Sequence, residues 1–156
     1  MMLVEVSTPE GQEGRESLER FWKAAAFPDH DYRAEIEAEN SPVSMRPGER
    51  LELRFRVRNA GSSTWPARGD SRGAFQVNAG DRWLDASGAR VVNDLDGRTS
   101  LPADLRPGEW VELQLTVTAP RAPGDYVLEL DMVHEGVTFF REKGSRTWRT
   151  NVRVGQ

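Results

Sequence analysis

The chain has 156 residues, 37% of them hydrophobic, with a formal net charge of −4 and no cysteine. That length fits one domain with a real core and one small appendage. Acidic and basic residues are interspersed, which excludes the clustered basic face of a nucleic-acid binder, and the lack of cysteine excludes disulfides, thiolate metal sites and cysteine nucleophiles.

The opening Met1-Met-Leu-Val-Glu-Val lacks the basic flank and apolar run of a secretion signal. No stretch approaches the roughly 20 apolar residues of a membrane-spanning helix, so a cytoplasmic protein without membrane insertion is expected. From Glu16 to Phe27 the spacing of Leu18, Phe21, Trp22 and Ala25 puts them on one side of a predicted helix. Ser7 with Glu10, or Thr8 ahead of Pro9, supplies its start, and Pro28 its end. A single amphipathic helix is not stable alone in water and must dock on the rest of the chain or on a partner. Residues 1–30 are therefore an N-terminal arm with a helix, and residues 31–156 a separate β domain.

From Tyr32 the period changes to two. Tyr32, Ala34, Ile36 and Ala38 alternate with charged residues as a first strand. The turn Arg46-Pro-Gly-Glu49 then leads into Leu51, Leu53, Phe55 and Val57, with Glu52, Arg54, Arg56 and Arg58 between them. The same turn recurs as Arg106-Pro-Gly-Glu109 ahead of Val111, Leu113, Leu115 and Val117. Alternation this clean predicts sheets with one dry and one wet face, and the likeness of the two copies marks equivalent strands, not a duplicated domain. Asn59 to Thr64 is a turn cluster closed by Trp65-Pro66, and the segment from Pro66 to Gly73 is loop by composition. Phe75-Gln-Val starts a further strand, and Arg82 to Asp85 with Ala89 to Val92 form a hairpin about Ala86-Ser-Gly88. Asn93 to Pro102 reads as an irregular crossing. Tyr126, Leu128, Leu130 and Met132, then Thr138-Phe-Phe, then Thr147 to Val154 complete about eight strands at short, regular spacing. That pattern predicts an all-β, immunoglobulin-like antiparallel β-sandwich.

Several residues match a known pattern: Val57-x-Asn59-x-Gly61 with Trp65-Pro66, Arg82-Trp-Leu-Asp85 with Gly88, Arg98-Thr-Ser-Leu-Pro102 and Pro107-Gly-Glu109. Further on come Ala119-Pro, Pro123-Gly-x-Tyr126-x-Leu128-x-Leu130-Asp131, and Val133-x-Glu135-Gly136 with Phe139-Phe140 and Gly144. On these residues, from about Tyr32 to Val154, the chain resembles an immunoglobulin-like accessory domain of bacterial proteins, found beside glycosyltransferases, sugar-linked methyltransferases and other surface-glycan enzymes. More loosely, it is similar to the Asn-x-Gly…Trp-Pro sandwich of a eukaryotic autophagy-receptor domain, whose other tryptophans have no counterpart here. The first resemblance implies a non-catalytic module, with no cofactor.

Gly69-Asp-Ser71-Arg-Gly73 fits the nucleophile-elbow pattern, and Asp85, Asp94 or Asp96 followed by His134 could complete a hydrolase order. That chemistry needs a strand-to-helix turn, whereas Phe75-Gln-Val follows as a strand, so the match reads as chance. Arg68-Gly-Asp70, an adhesion tripeptide, reads the same way. Asn93, Asp94 and Asp96 before Gly97 offer oxygens to a hard cation, but an Asx-rich turn explains them. His30 and His134 lack zinc spacing, and a structural role suits His134.

Among the tryptophans, Trp65 is expected to plug one end of the sandwich. If Leu84 and Val111 point inward, alternation turns Trp83 and Trp110 outward. An exposed indole beside Arg or Asp is what saccharide-binding surfaces use. A surface of Arg82, Trp83, Arg98 and Trp110 is thus the candidate binding site, with Asp104 a further polar neighbour, although Arg98 and Asp104 read first as a structural bridge. The alternative is that the N-terminal helix covers these rings with Phe21 and Trp22. The expected function is a non-catalytic binding module contacting a saccharide or a partner protein, or else a structural domain that forms homodimers or subunit contacts.

Overall fold

The computed structural model describes residues 26–72 and 74–155. The predicted helix over residues 16–27 falls outside them except for its last two residues. Those two, Ala26 and Phe27, are not helical. Phe27 instead stacks on His134 with ring centroids 4.5 Å apart, and its N–H donates to the Tyr32 hydroxyl.

Nine strands are formed by the described residues: β1 Ala34–Ala38, β2 Ser44–Met45, β3 Arg50–Asn59, β4 Val77–Asp85, β5 Val91–Ser100, β6 Trp110–Thr118, β7 Gly124–His134, β8 Thr138–Phe139 and β9 Trp148–Val154. They build a sandwich of two sheets. One has the order β1-β3-β6, the other β2-β9-β7-β4-β5, with β8 added to β7. All pairings are antiparallel except β2 with β9, which is parallel.

The repeated turn explains the smaller sheet. In each copy proline and glycine occupy the central positions, and the glycine sits at positive φ, +73° for Gly48 and +86° for Gly108, as a type II turn requires. The glutamate closes each turn: Glu49 accepts from the Arg46 N–H at 2.7 Å and Glu109 from the Arg106 N–H at 2.8 Å. The two strands these turns launch are antiparallel neighbours, pairing Leu53 with Leu115 and Phe55 with Leu113. Each turn therefore lands at the far end of the other strand, where the Gly108 N–H bonds the Asn59 carbonyl and the Ala119 N–H bonds the Glu49 carbonyl. Leu53, Phe55, Val57, Leu113, Leu115 and Val117 from this sheet meet Val77, Ala79, Trp83, Leu128, Leu130 and Met132 from the other, all buried, to form the core.

Two expectations need correction. Asn93 to Pro102 is not an irregular crossing, because residues up to Ser100 belong to β5 and pair with β4. β5 lacks apolar alternation because it is an edge strand with residues 91–94 exposed, and its regularity comes from the backbone ladder with β4. The strand expected from Phe75 begins at Val77, and Phe75 itself has φ +74°, outside strand geometry.

At one end, Trp65 is buried as expected and packs edge-on against Phe140. Asn59 holds this end together. Its amide donates to the carbonyls of Ser63 and Leu105, and its side-chain oxygen accepts from the Gly61 N–H. The Asn-x-Gly…Trp-Pro pattern is therefore a loop knot that seats the tryptophan.

Candidate functional site

The four residues of the expected binding surface do not share one. Trp83 is a core residue, 0% exposed, paired with Leu128 on the inner face, and the outward orientation expected for it is wrong. The reason is that Leu84 on the opposite side of β4 is buried too. With both faces of the strand covered, alternation has no wet side from which to fix the phase. The Trp83 indole N–H, which would be costly to bury alone, donates to Asp96 at 3.1 Å.

Trp110 does point outward and is the one exposed aromatic among the described residues, at 38%. It opens β6 opposite Arg58, and the Arg56 guanidinium lies 4.3 Å from the ring centroid. Around it, the wet face of the smaller sheet is a charge ladder. Arg58 pairs with Glu35 at 3.2 Å and Arg56 with Glu37 at 2.8 Å.

Arg82 and Arg98 lie on the other sheet. Arg82 binds Glu129, which also accepts from Thr147 Oγ1 at 2.7 Å and Arg149 Nε at 2.8 Å. Arg98 binds Glu135 at 3.2 Å, and Glu135 accepts from Asn78 Nδ2 at 2.8 Å. One step along β7, Asp131 accepts from the backbone N–H of Met132 and of Arg141 and from Arg141 Nη1 at 3.3 Å. Phe139 packs against both Arg98 and Arg141. Beside this cluster runs an open groove of about 370 Å³, bordered by Asp94, Arg98, Glu135, Thr138, Phe139 and Glu142.

Glu129 and Asp131 are adjacent buried acids with opposite protonation behaviour. Burial raises the pKa of Glu129, but hydrogen bonds from Arg82, Thr147 and Arg149 outweigh it and leave the group below its ordinary value. Asp131 is also raised by burial, and its backbone and Arg141 contacts do not compensate, so it stands at about 7. Neither residue was legible as part of a site. The signal was available in Val127 and Val133, which bracket them on the same outward face, since valines at both ends of a supposedly wet stripe mark a covered one.

The catalytic pattern does not assemble. Ser71 is exposed in a turn that leads to strand β4, and Asp70 holds this turn by accepting from the N–H groups of Arg72 and Ala74. Those bonds also give Asp70 of the Arg-Gly-Asp tripeptide a structural use. Both nitrogens of the buried His134 are engaged elsewhere. The Phe75 carbonyl can only accept, so Nε2 carries the proton it receives at 3.0 Å, and Nδ1 accepts from the Tyr32 hydroxyl at 2.9 Å. Burial lowers the His134 pKa, keeping the ring neutral near physiological pH. Asn93, Asp94 and Asp96 are strand residues, and no group of three or more metal-ligating side chains occurs among the described residues. Asp104 accepts from the Ala67 N–H at 2.8 Å, a structural bridge.

Solved structures with a related sandwich are distant. A CARDB domain from Pyrococcus furiosus is 14% identical, with a TM-score of 0.46 over 79% of this chain and 96% of that one. The β-glucosidase from Listeria innocua in complex with glucose is 16% identical, with a TM-score of 0.46 over 80% of this chain and 16% of the enzyme. The sporulation control protein Spo0M from Bacillus subtilis is 13% identical, with a TM-score of 0.46 over 80% of this chain and 50% of that one. No curated protein matches the sequence. Residues 40–154, which contain every strand from β2 to β9, match the family described as the Ig-like domain from next to BRCA1 gene, and the chain belongs to that family.

Proposed function

We propose that this chain is a non-catalytic interaction module that docks a partner protein on the outer face of its three-stranded sheet, with Trp110 as the anchor. The immunoglobulin-like fold is typical of such modules. The observation that carries the reading is the exposed indole of Trp110 stacked with Arg56 on an otherwise charged face. Tryptophan and arginine dominate the energetic centres of protein interfaces, while long charged side chains such as Glu35, Glu37 and Arg58 suit the polar rim.

The test is a photoreactive phenylalanine analogue placed at Trp110 or at Arg98 of the intact chain, in its cell of origin. A defined protein adduct from position 110 and none from position 98 is the expected result. A second reading is favoured by the groove beside Arg98: saccharide contact in bacterial surface-glycan metabolism, through Arg98, Phe139 and Glu142. Glycan-array binding that is lost in Arg98→Ala, with no adduct from position 110, would overturn the first reading in favour of the second.

A further inference from the structure

Among the described residues, the buried carboxylate with the least compensation is in the core. Asp81 on β4 stands opposite Leu130 of β7 and Gly97 of β5. Its side chain is directed between the sheets and is 3% exposed, and the one N–H near it, that of Gly97, makes no well-formed hydrogen bond and offsets little of the burial. A lone carboxylate in such a place is very costly. Its neighbour at hydrogen-bonding range is a second acid, Asp96 on β5. Asp96 is well supplied with donors, accepting from Trp83 Nε1 at 3.1 Å and from the Thr118 N–H at 2.7 Å.

The backbone brings these groups together. Between the pairs Asp81–Gly97 and Trp83–Asn93, three residues of β5 stand against the single residue Arg82 of β4. This bulge accompanies Asp96 reaching the interior, as bulges re-aim side chains. Next to it, β5 meets β6 so closely that a Cβ on Gly97 would lie 2.9 Å from the Thr116 carbonyl oxygen and 3.1 Å from Leu115. β5 ends the larger sheet and β6 ends the smaller one, so their meeting is a seam along one side of the sandwich. The Thr118 N–H on β6 bonding Asp96 on β5 crosses that seam.

Two ionised carboxylates cannot sit side by side in this setting, whereas one proton between them turns repulsion into a hydrogen bond. Asp96 already receives two N–H groups and is the natural anion. We infer that Asp81 is a neutral acid donating its proton to Asp96, and that this hydrogen bond is a latch holding the β5–β6 seam closed. Burial first, and Asp96 second, push the Asp81 pKa up to about 9. Among the charged groups that reach it, Asp96 raises the value and Arg98 lowers it. β6 contributes Leu115 and the Thr116 carbonyl at this point, and β7 contributes Leu130. From the ordinary value of 3.8 up to about 9 the folded chain keeps a proton that the unfolded chain releases. Asp81 therefore favours the fold less and less as pH rises through that window. Once it ionises, the seam carries two facing anions and two strand edges are free to part.

The experiment is an NMR titration of the intact chain from neutral to alkaline pH, following the Asp81 carboxyl carbon and the Trp83 indole N–H. The two signals are expected to shift together near pH 9, with the Thr118 amide losing protection from hydrogen exchange over the same range. In Asp81→Asn the side-chain amide can still donate to Asp96, so the fold should persist and the alkaline shift of Trp83 should vanish. An Asp81 carbon that titrates near the ordinary carboxylate value, or an alkaline shift that survives in Asp81→Asn, would overturn the latch. So would calcium moving these signals at neutral pH, because a bridging cation would then be holding the pair. The wild-type titration decides the matter even if the variant fails to fold.

Discussion

On the three-stranded sheet Glu35 and Glu37 pair with Arg58 and Arg56 in water, each side chain between 35% and 55% exposed. On the six-stranded sheet the carboxylates of Glu129 and Asp131 are buried, 1% and 4% exposed, where they meet Arg82, Arg141 and the more exposed Arg149. Both faces use arginine–carboxylate pairs on alternate strand positions, yet the physics differs. In water such a pair is worth about 0.2–1 kcal/mol, since solvent screens it and two long side chains lose freedom. Under cover, the pair gains little over an apolar pair of the same shape, but losing one partner leaves a buried charge and is expensive. The burial of the neighbours, more than the chemistry of the pair, decides what a salt bridge contributes.

The sharpest way to break this comparison is Glu129→Ala. It removes the acceptor shared by Arg82, Thr147 and Arg149, and a loss of about 3–5 kcal/mol is expected in denaturant unfolding. Arg82 and Arg149 keep part of their hydration, at 17% and 45% exposed, which pulls the loss toward the lower end. A loss below about 0.5 kcal/mol would mean that the cluster is solvated like the opposite face. pH separates the two buried acids. Glu129 lies below its ordinary 4.5, so its contribution is present above that value and is lost as pH falls through its lower folded pKa. Asp131 lies at about 7, so its contribution is full below 3.8 and is lost as pH rises through 7. Asp131→Asn should therefore remove the part of the pH dependence that lies between 3.8 and about 7 and leave the profile below 3.8 unchanged. His134 adds to the acid side: with its pKa lowered from 6.5, stability falls as pH drops below that value.

The difference between the faces also sets what the sequence could reveal. Wherever one side of a strand is wet, alternation named the inward residues correctly: Leu53, Phe55 and Val57 on β3, and Leu113, Leu115 and Val117 on β6. The two Arg-Pro-Gly-Glu turns were equally legible, because their glycines and glutamates act within four residues. On β4 and β7 both sides are covered, so alternation gives Trp83 the wrong phase and does not single out Glu129 and Asp131 as buried. The hairpin of β4 with the start of β5 at Val91 and Val92 is legible, but the rest of β5 is not, since it is held by backbone pairing and carries Asn93, Asp94 and Asp96 where apolar residues would announce a strand. Of the expected surface, Trp110 is where alternation put it, on the face opposite Arg82 and Arg98. No local pattern reports which sheet a residue joins, because that follows from pairing between distant strands.

The turns supply a prediction of intermediate size. Gly108→Ala forces a side chain onto a residue at φ +86° with no atom within 4 Å of the new Cβ. Backbone strain is then the whole effect, about 1–2 kcal/mol, measurable by thermal unfolding. Gly48→Ala, at φ +73° with only the end of Arg121 nearby, should cost a similar amount. A clear inequality would mean that the two turns are not equivalent, despite their shared sequence and reciprocal contacts.

The smallest effect is the most direct control on the comparison. A double-mutant cycle on Glu37 and Arg56, joined at 2.8 Å on the wet face, should return a coupling of about 0.3–0.5 kcal/mol. That coupling should shrink in high salt, where the Debye length falls to about 3 Å at 1 M. The same cycle on Glu129 and Arg82 should give a larger coupling that salt barely changes, because ions cannot enter between groups this deeply covered. Arg56 carries an additional term, since its guanidinium also lies over Trp110. Arg56→Ala should thus cost more than Glu37→Ala, and repeating both in a Trp110→Ala background should remove the excess. If the excess persists without the indole, Arg56 is stabilising the sheet through its aliphatic stem, and the stack with Trp110 contributes no separate energy.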